Sequence, residues 1–236
     1  MSPNDKSTVE EIRSRFDRDV ERFSNLETGQ TATMDAAYCL DLVSRAACAA
    51  TPRIGSVLDV GCGAGNFSLK LRERAPDARF TLVDLSRPML DRAQERLGAS
   101  AVAAHAGDIR SIDFPDASFD VIVAAAVLHH LRTPEEWRSV FDAFRRWLRP
   151  GGSVWVFDLV SHEHSGIEAL LWHRYGDYLE QLGGAVCREK VFAYVQKEDT
   201  PTPVTYQLEL LRAAGFDAVD LLHKNACFAA FGAVRR

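Results

Sequence analysis

Five short apolar runs interleaved with helical stretches leave this chain few ways to fold. SVLDVG (56–61), RFTLVDL (79–85), AVAAHAGD (101–108), FDVIVAAAV (119–127) and GSVWVFDL (152–159) are rich in Val, Phe, Ile and Ala and bounded by Gly, Pro or Asp, which predicts five strands. NFSLKLRERA (66–75), RPMLDRAQERLG (87–98) and TPEEWRSVFDAFRRWL (133–148) space their apolar residues by three and four, and the last two set a proline near the start. These are helix signatures. Strands that alternate with helices join by right-handed crossovers into a parallel sheet covered on both faces, so the predicted class is α/β, doubly wound. The tail departs from the alternation. LELLRAAGF (208–216) predicts a helix ending at Gly215, and DAVDLLHK and CFAAFGAVRR lie close enough together to pair as a hairpin, which brings an antiparallel strand to one edge of a mostly parallel seven-stranded sheet.

Two segments fall outside that core. Residues 1–50 read as an N-terminal helical cap on a domain spanning 51–236, and residues 160–206 form an insertion after the fifth strand that carries Trp172, Tyr175, Tyr178, Phe192 and Tyr194 among charges. Chain inserted at the carboxyl end of a strand overhangs the crevice where open α/β sheets bind ligands, so 160–206 is either a substrate lid or a set of aromatics packed on the sheet. At 236 residues, 47% hydrophobic and 26% charged, the chain suits one large domain with such an insertion. A net charge of −5 offers no global attraction for a polyanion, which disfavours nucleic acid as partner. The N-terminal residues are charged with no apolar signal core, and no run reaches the roughly 18 apolar residues of a membrane span. Cys39, Cys48, Cys62, Cys187 and Cys227 form no C-x-x-C pair, so neither a zinc site nor a redox dithiol is expected, and thiols of this kind suit a cytoplasmic protein.

The stretch LDVGCGAGNF (58–67) sets Gly61, Gly63 and Gly65 at every second position directly after the first strand. Glycine permits positive φ and lets a ligand lie against bare main chain. A dinucleotide is the obvious candidate, but its G-x-G-x-x-G fingerprint is not met: the spacing is G-x-G-x-G, with Asn66 where the third glycine belongs. No Lys or Arg stands in the turn to meet a pyrophosphate. Asp84, at the end of the second strand, is placed to accept from both hydroxyls of a ribose. Asp108, ending the third, can accept from an exocyclic amine while Ile109 packs on a purine face. Together these describe an adenosine without phosphates, although an aspartate at the end of a strand is also a common helix cap.

These residues resemble the class I S-adenosylmethionine-dependent methyltransferases. VLDVGCGAGNFS is similar to their first motif, LVDLSRPML to the second, AGDIRSIDFPDASFDVIV to the third and fourth, and LRPGGSVWV to the turn before the fifth strand. The resemblance covers about residues 52–158 and implies S-adenosyl-L-methionine as cofactor and a small-molecule methyl acceptor. It implies that Gly61 and Gly63 pass under the methionine part with Cys62 offering backbone groups, and that Asp84 holds the ribose. Leu85 and Met89 would wall the adenine, Asp108 and Ile109 select it, Ala125 expose main-chain carbonyls near the sulfonium, and Leu128 lie beneath. Asp59 would order the glycine turn. The N-terminal RFDRDVERFSN and the tail LLRAAGFDAVDLLHKNACFAAFGAVR also resemble carboxy-S-adenosylmethionine synthases. Where that family carries an arginine for the extra carboxylate, this chain has Val191 or Phe192, with Arg188 slightly upstream.

A sulfonium is already an activated donor, so transfer needs alignment and exclusion of water more than a fixed catalytic group. If the acceptor holds a proton, histidine is the usual base. His129 and His130, in AAAVLHHL after the fourth strand, are the candidates; His162 and His164, in SHEHSG after the fifth, are either a base, metal ligands or exposed loop residues. Arg22, Arg174 and Arg188 are candidates to meet a carboxylate. The competing functions are an S-adenosylmethionine-binding protein without chemistry, an NAD-linked oxidoreductase and a nucleic-acid methyltransferase.

Overall fold

A computed structural model describes residues 6–25 and 30–236. Two helices come first. α1 (Val9–Arg18) opens on a capping box, Thr8 accepting from the Glu11 amide while the Glu11 carboxylate accepts from that of Thr8, and α2 (Val20–Ser24) follows after Asp19. α3 (Ala36–Ala50) leads into β1 (Ser56–Val60), then α4 (Asn66–Arg72), β2 (Arg79–Asp84), α5 (Arg87–Leu97), β3 (Ala101–Ala106) and β4 (Phe119–Ala125). α6 (Pro134–Trp147), β5 (Leu148–Leu159), α7 (Ser165–Glu198), α8 (Val204–Ala213), β6 (Ala218–Asn225) and β7 (Phe228–Val234) complete the chain.

The seven strands lie in the order β3-β2-β1-β4-β5-β7-β6. β1 pairs in parallel with β2 and with β4, β2 with β3 and β4 with β5, while β7 runs antiparallel between β5 and β6. Chain order reverses between β1 and β4, and ligands of open α/β sheets bind outside the carboxyl ends at such a switch point. Two buried clusters, one on each face, hold the layers together. Leu40, Val43 and Ala47 of α3 pack with Phe67, Leu71, Leu90 and the Phe157 face of the sheet; Trp137, Phe141, Phe144 and Leu211 from α6 and α8 pack with Ile122, Val154 and Phe231 on the other.

The expected α/β sheet is present, with the starts of β5 and α8 moved. β5 starts at Leu148, because Leu148 pairs with Phe119 across a register shift before the Val121–Ser153 pairing resumes. The predicted turn LRPGG is thus strand. α8 begins four residues early, immediately after Pro203, whose fixed φ suits the residue before a first turn. The insertion is a helical hairpin: α7 breaks at Gly183 and Gly184, the latter at φ 73, so that Trp172 of the first arm meets Phe192 of the second, ring centroids 5.1 Å apart and edge to face. Its aromatics are therefore used in packing. Tyr175 also meets Phe228 of β7 at 5.2 Å and donates to the Ala32 carbonyl. No described helix is long and apolar enough to cross a membrane.

Candidate functional site

β1 delivers the glycine turn to the switch point. Gly61 has φ 64 and Gly63 φ 49, both in the region that disfavours side chains. They differ in surroundings: a Cβ on Gly61 would lie 2.4 Å from a Val127 methyl, whereas one on Gly63 would meet nothing within 4 Å. Gly61 is bare so that the turn after β4 can close against it. Gly63 is bare toward open space.

The turn is stitched to β2 by Asp84, whose Oδ2 accepts from the Gly63 amide and whose Oδ1 accepts from the Ser86 amide, both at 2.8 Å. The cap of α5 is Ser86, whose hydroxyl accepts from Met89 N, so Asp84 does not serve as that helix's side-chain cap. Burial pushes the Asp84 carboxyl up to about 6. Asp59 stands behind the turn, fully buried, accepting from Ser68 Oγ at 2.5 Å, and burial pushes it up to about 7. Burial also raises the Cys62 thiol far above its ordinary value, which leaves it protonated and unreactive. Asn66 donates to the Phe23 carbonyl and accepts from Arg96, each at 2.8 Å, and thereby ties α2 to the turn.

Around these groups lie two adjoining chambers that share Gly61, Asp84, Leu85, Val127 and His130. The first, about 760 Å³ including its open mouth, adds Cys62, Gly63, Met89 and Ala125 and is roofed by Phe16, Phe23 and Leu40. The second adds Asp108, Ile109 and Leu128 and is covered by Val9 and Ile12. All ten residues expected at the cofactor thus line one cleft. Asp108 enters it with its carboxylate held by Arg110, which also reaches Glu136 Oε1 at 2.7 Å; against the opposing effect of burial, these bonds keep the Asp108 carboxyl below the usual range.

The two histidines part company. His130 lines both chambers, whereas His129 is not among the lining residues: it is 6% exposed, with Nδ1 hydrogen-bonded to Asp158. Burial disfavours charge on His129, but Asp158 and Asp199 outweigh it and hold the imidazole up to about 9. A base that is already protonated and out of the cleft takes no proton from an acceptor. Burial, reinforced by the charge of His129, pulls His130 well below the usual histidine range against an opposing contact with the Glu198 backbone, and among the described residues neither of its ring nitrogens has a hydrogen bond of normal geometry. His162 pairs with Glu168 and with Lys224 outside the cleft, and His164 caps α7. Arg188 pairs with Glu180 inside the α7 hairpin, and neither it nor Arg22 nor Arg174 lines the cleft. The roof residues Val9, Ile12, Phe16 and Phe23 were not among the residues expected at the site. The four-residue spacing of Ile12 and Phe16 and the seven-residue spacing of Phe16 and Phe23 put them near one helical face, a signal that was available.

Residues 57–152 match the family described as "Methyltransferase domain". An uncharacterized methyltransferase of Mycobacterium tuberculosis is 35% identical over 117 residues, 50% of this chain and 55% of the relative. The chain thus spans about half the length of that relative. Among solved structures, a Burkholderia thailandensis 1,6-didemethyltoxoflavin-N1-methyltransferase with bound 1,6-didemethyltoxoflavin and S-adenosylhomocysteine superposes with a TM-score of 0.62 at 20% identity, over 95% of this chain and 87% of that one. The [4+2]-cyclase SpnF superposes with a TM-score of 0.65 at 16% identity, over 98% and 97%. These likenesses are likenesses of fold.

Proposed function

We propose, for a chain whose residues 57–152 match a methyltransferase-domain family, that the cleft binds S-adenosyl-L-methionine and that the enzyme transfers its methyl group to a small organic acceptor. One observation carries this: a glycine turn open at Gly63, an acid at the end of β2 and an acid followed by an apolar residue after β3 converge on one cleft with no basic residue in the turn. Ribose hydroxyls donate to Asp84, which the Gly63 and Ser86 amides already orient. Leu85, Met89 and Ile109 sandwich the purine and Asp108 accepts from its amine. Gly61, Cys62 and Ala125 present main-chain groups to the methionine part, with Leu128 below. The cofactor brings an activated methyl; the chain aligns an acceptor against it beneath Phe16, Phe23 and Leu40 and keeps water out.

His130 is the acceptor-side member of the histidine pair and His129 positions it from behind. The aromatic and aliphatic roof suits an apolar or planar acceptor. Arg188, engaged by Glu180 away from the cleft, gives no support to a carboxylated cofactor. The five cysteines are unpaired, which fits a reducing compartment, and we assign the protein to the cytoplasm.

Calorimetric titration with S-adenosylmethionine, its demethylated product and NAD tests the cofactor; transfer of labelled methyl to a panel of phenols, quinones and heteroaromatics tests the chemistry. Binding of NAD in place of the first two overturns the assignment, and binding without transfer to any acceptor supports a non-catalytic binding protein. A pH series adds a sharper check. Hydroxyls donate best to the ionised Asp84, so a proton must leave before the cofactor binds once the pH falls below about 6. Affinity is expected to be flat above about pH 7 and to fall toward tenfold per unit below about pH 6, and Asp84→Asn should flatten that profile.

The proposed cap, residues 1–50, is also testable. α1 covers the adenine side as well as the acceptor side, so deleting residues 1–25 is expected to lower cofactor affinity at least tenfold along with turnover. Unchanged affinity in a folded deletion variant would confine the cap to the acceptor.

A further inference from the structure

The histidine pair meets a third group that the chemistry above leaves unused. Asp199, the first residue after α7, is 3% exposed. Its Oδ1 lies 3.6 Å from His129 Nε2 and 3.4 Å from His130 Nδ1, all three atoms falling within 4.8 Å of one another. Neither contact is a hydrogen bond: Asp199 Oδ1 and both nitrogens of His130 are buried without a hydrogen-bond partner. A buried carboxylate oxygen that has only an ion pair at 3.6 Å and no hydrogen bond is costly. Three donor atoms gathered within 4.8 Å with no hydrogen bond formed between the two imidazoles and the carboxylate are an arrangement a shared cation would satisfy.

We propose that His129 Nε2, His130 Nδ1 and Asp199 Oδ1 are the protein ligands of a divalent transition metal, with zinc the ion they fit best. Ligands about 2.1 Å from a tetrahedral ion stand about 3.4 Å apart, close to the two contacts to Asp199, 3.6 and 3.4 Å; the two imidazole nitrogens, within 4.8 Å of each other, would draw together on the ion. Two imidazoles with one carboxylate suit zinc better than the hard cations, which take oxygen ligands.

His129 is also held as a ligand would be. Its Nδ1 is committed to Asp158, and Asp158 is itself fixed by the amides of Leu128 at 2.7 Å and Leu159 at 2.7 Å. A carboxylate behind the far nitrogen orients a metal-bound histidine and makes it more basic. Of the neighbouring cations, Arg15 is held by a two-pronged pair with Glu198, Lys6 donates to the Gln196 and Asp199 carbonyls and Arg132 donates to the Ser7 carbonyl. Three protein ligands leave a fourth position for water or for an oxygen of the acceptor, since His130 lines the cleft. The site would also pin the end of the α7 hairpin to the loop after β4, where Thr200 N already donates to the His129 carbonyl at 2.7 Å.

The test needs no methyl transfer. The tag-free protein is stripped with a chelator, dialysed, and titrated separately with Zn²⁺ and Co²⁺. The expected result is one equivalent bound per chain, a tetrahedral visible spectrum with Co²⁺, and affinity at least tenfold weaker in Asp199→Asn and His130→Gln. His173→Gln, on an exposed helix face, serves as control and should bind as the parent does. Circular dichroism shows whether each variant is folded; if one substitution unfolds the chain, the other decides. Failure of the folded parent to bind either ion, or equal binding by folded Asp199→Asn and His130→Gln, overturns the proposal. Either result leaves the assignment of S-adenosylmethionine to the cleft untouched.

Discussion

Asp84→Ala is expected to weaken S-adenosylmethionine binding by about 100-fold or more. The substitution removes acceptors from two ribose hydroxyls and also leaves the amides of Gly63 and Ser86 without the oxygens they now reach at 2.8 Å. Each unmet donor in a closed site costs about 1–3 kcal/mol, and 1.4 kcal/mol is a factor of ten, so two to three such losses give the stated range. The protein should still fold, because Ser86 rather than Asp84 caps α5. Calorimetric titration measures the effect, and a change smaller than about threefold would reduce Asp84 to a brace for the turn.

Gly61→Val is expected to act on stability first. The new Cβ would overlap the Val127 methyl at 2.4 Å, and a β-branched residue at φ 64 is strained wherever it sits. Together these cost about 3–5 kcal/mol, a drop in Tm of roughly 6–20 °C for a chain of this size. Gly63→Ala separates the two functions of the turn. Its Cβ meets no atom of the described residues within 4 Å, so about 1 kcal/mol of backbone strain is the expected loss to the fold; the methyl enters the space assigned to the cofactor, and affinity is expected to fall. Thermal unfolding with and without cofactor distinguishes them, and equal Tm values for Gly61→Val and the parent would sink the steric account.

Much of this was legible from local chemistry. Strand and helix periodicity gave the layers, and the glycine turn with Asp84 and Asp108 identified the cleft, because each signal occupies only a few consecutive residues. Contacts across long stretches of chain were not legible. His129 and His130 are equivalent in sequence, yet one is locked to Asp158 and the other lines the cleft. Nothing in SHEHSG or LHHL points to Asp199, which reaches the pair only because the hairpin returns there. The fixed φ of Pro203 fits the early start of α8 at Val204, and a strand pairing beyond its apolar run explains the early start of β5. The break in α7 was written in the sequence as Gly183–Gly184, but a glycine pair marks a bend without saying what the two arms will grip.

α1 is fastened over both chambers at several points at once. Arg15 grips Glu198, Lys6 donates to the Asp199 carbonyl, Arg132 donates to the Ser7 carbonyl, and the Ser7 amide donates to the Lys197 carbonyl. Three of these fastenings hold the residues just before α1 and one holds α1 itself, tying the roof to the end of the α7 hairpin and to the loop before α6. On the proposed function, the residence time of the demethylated product would depend on the roof as well as on the floor of the cleft. Slow departure from such a covered site sets the pace of many enzymes whose chemistry is fast, and here it would couple the rhythm of turnover to four contacts that touch no reacting atom.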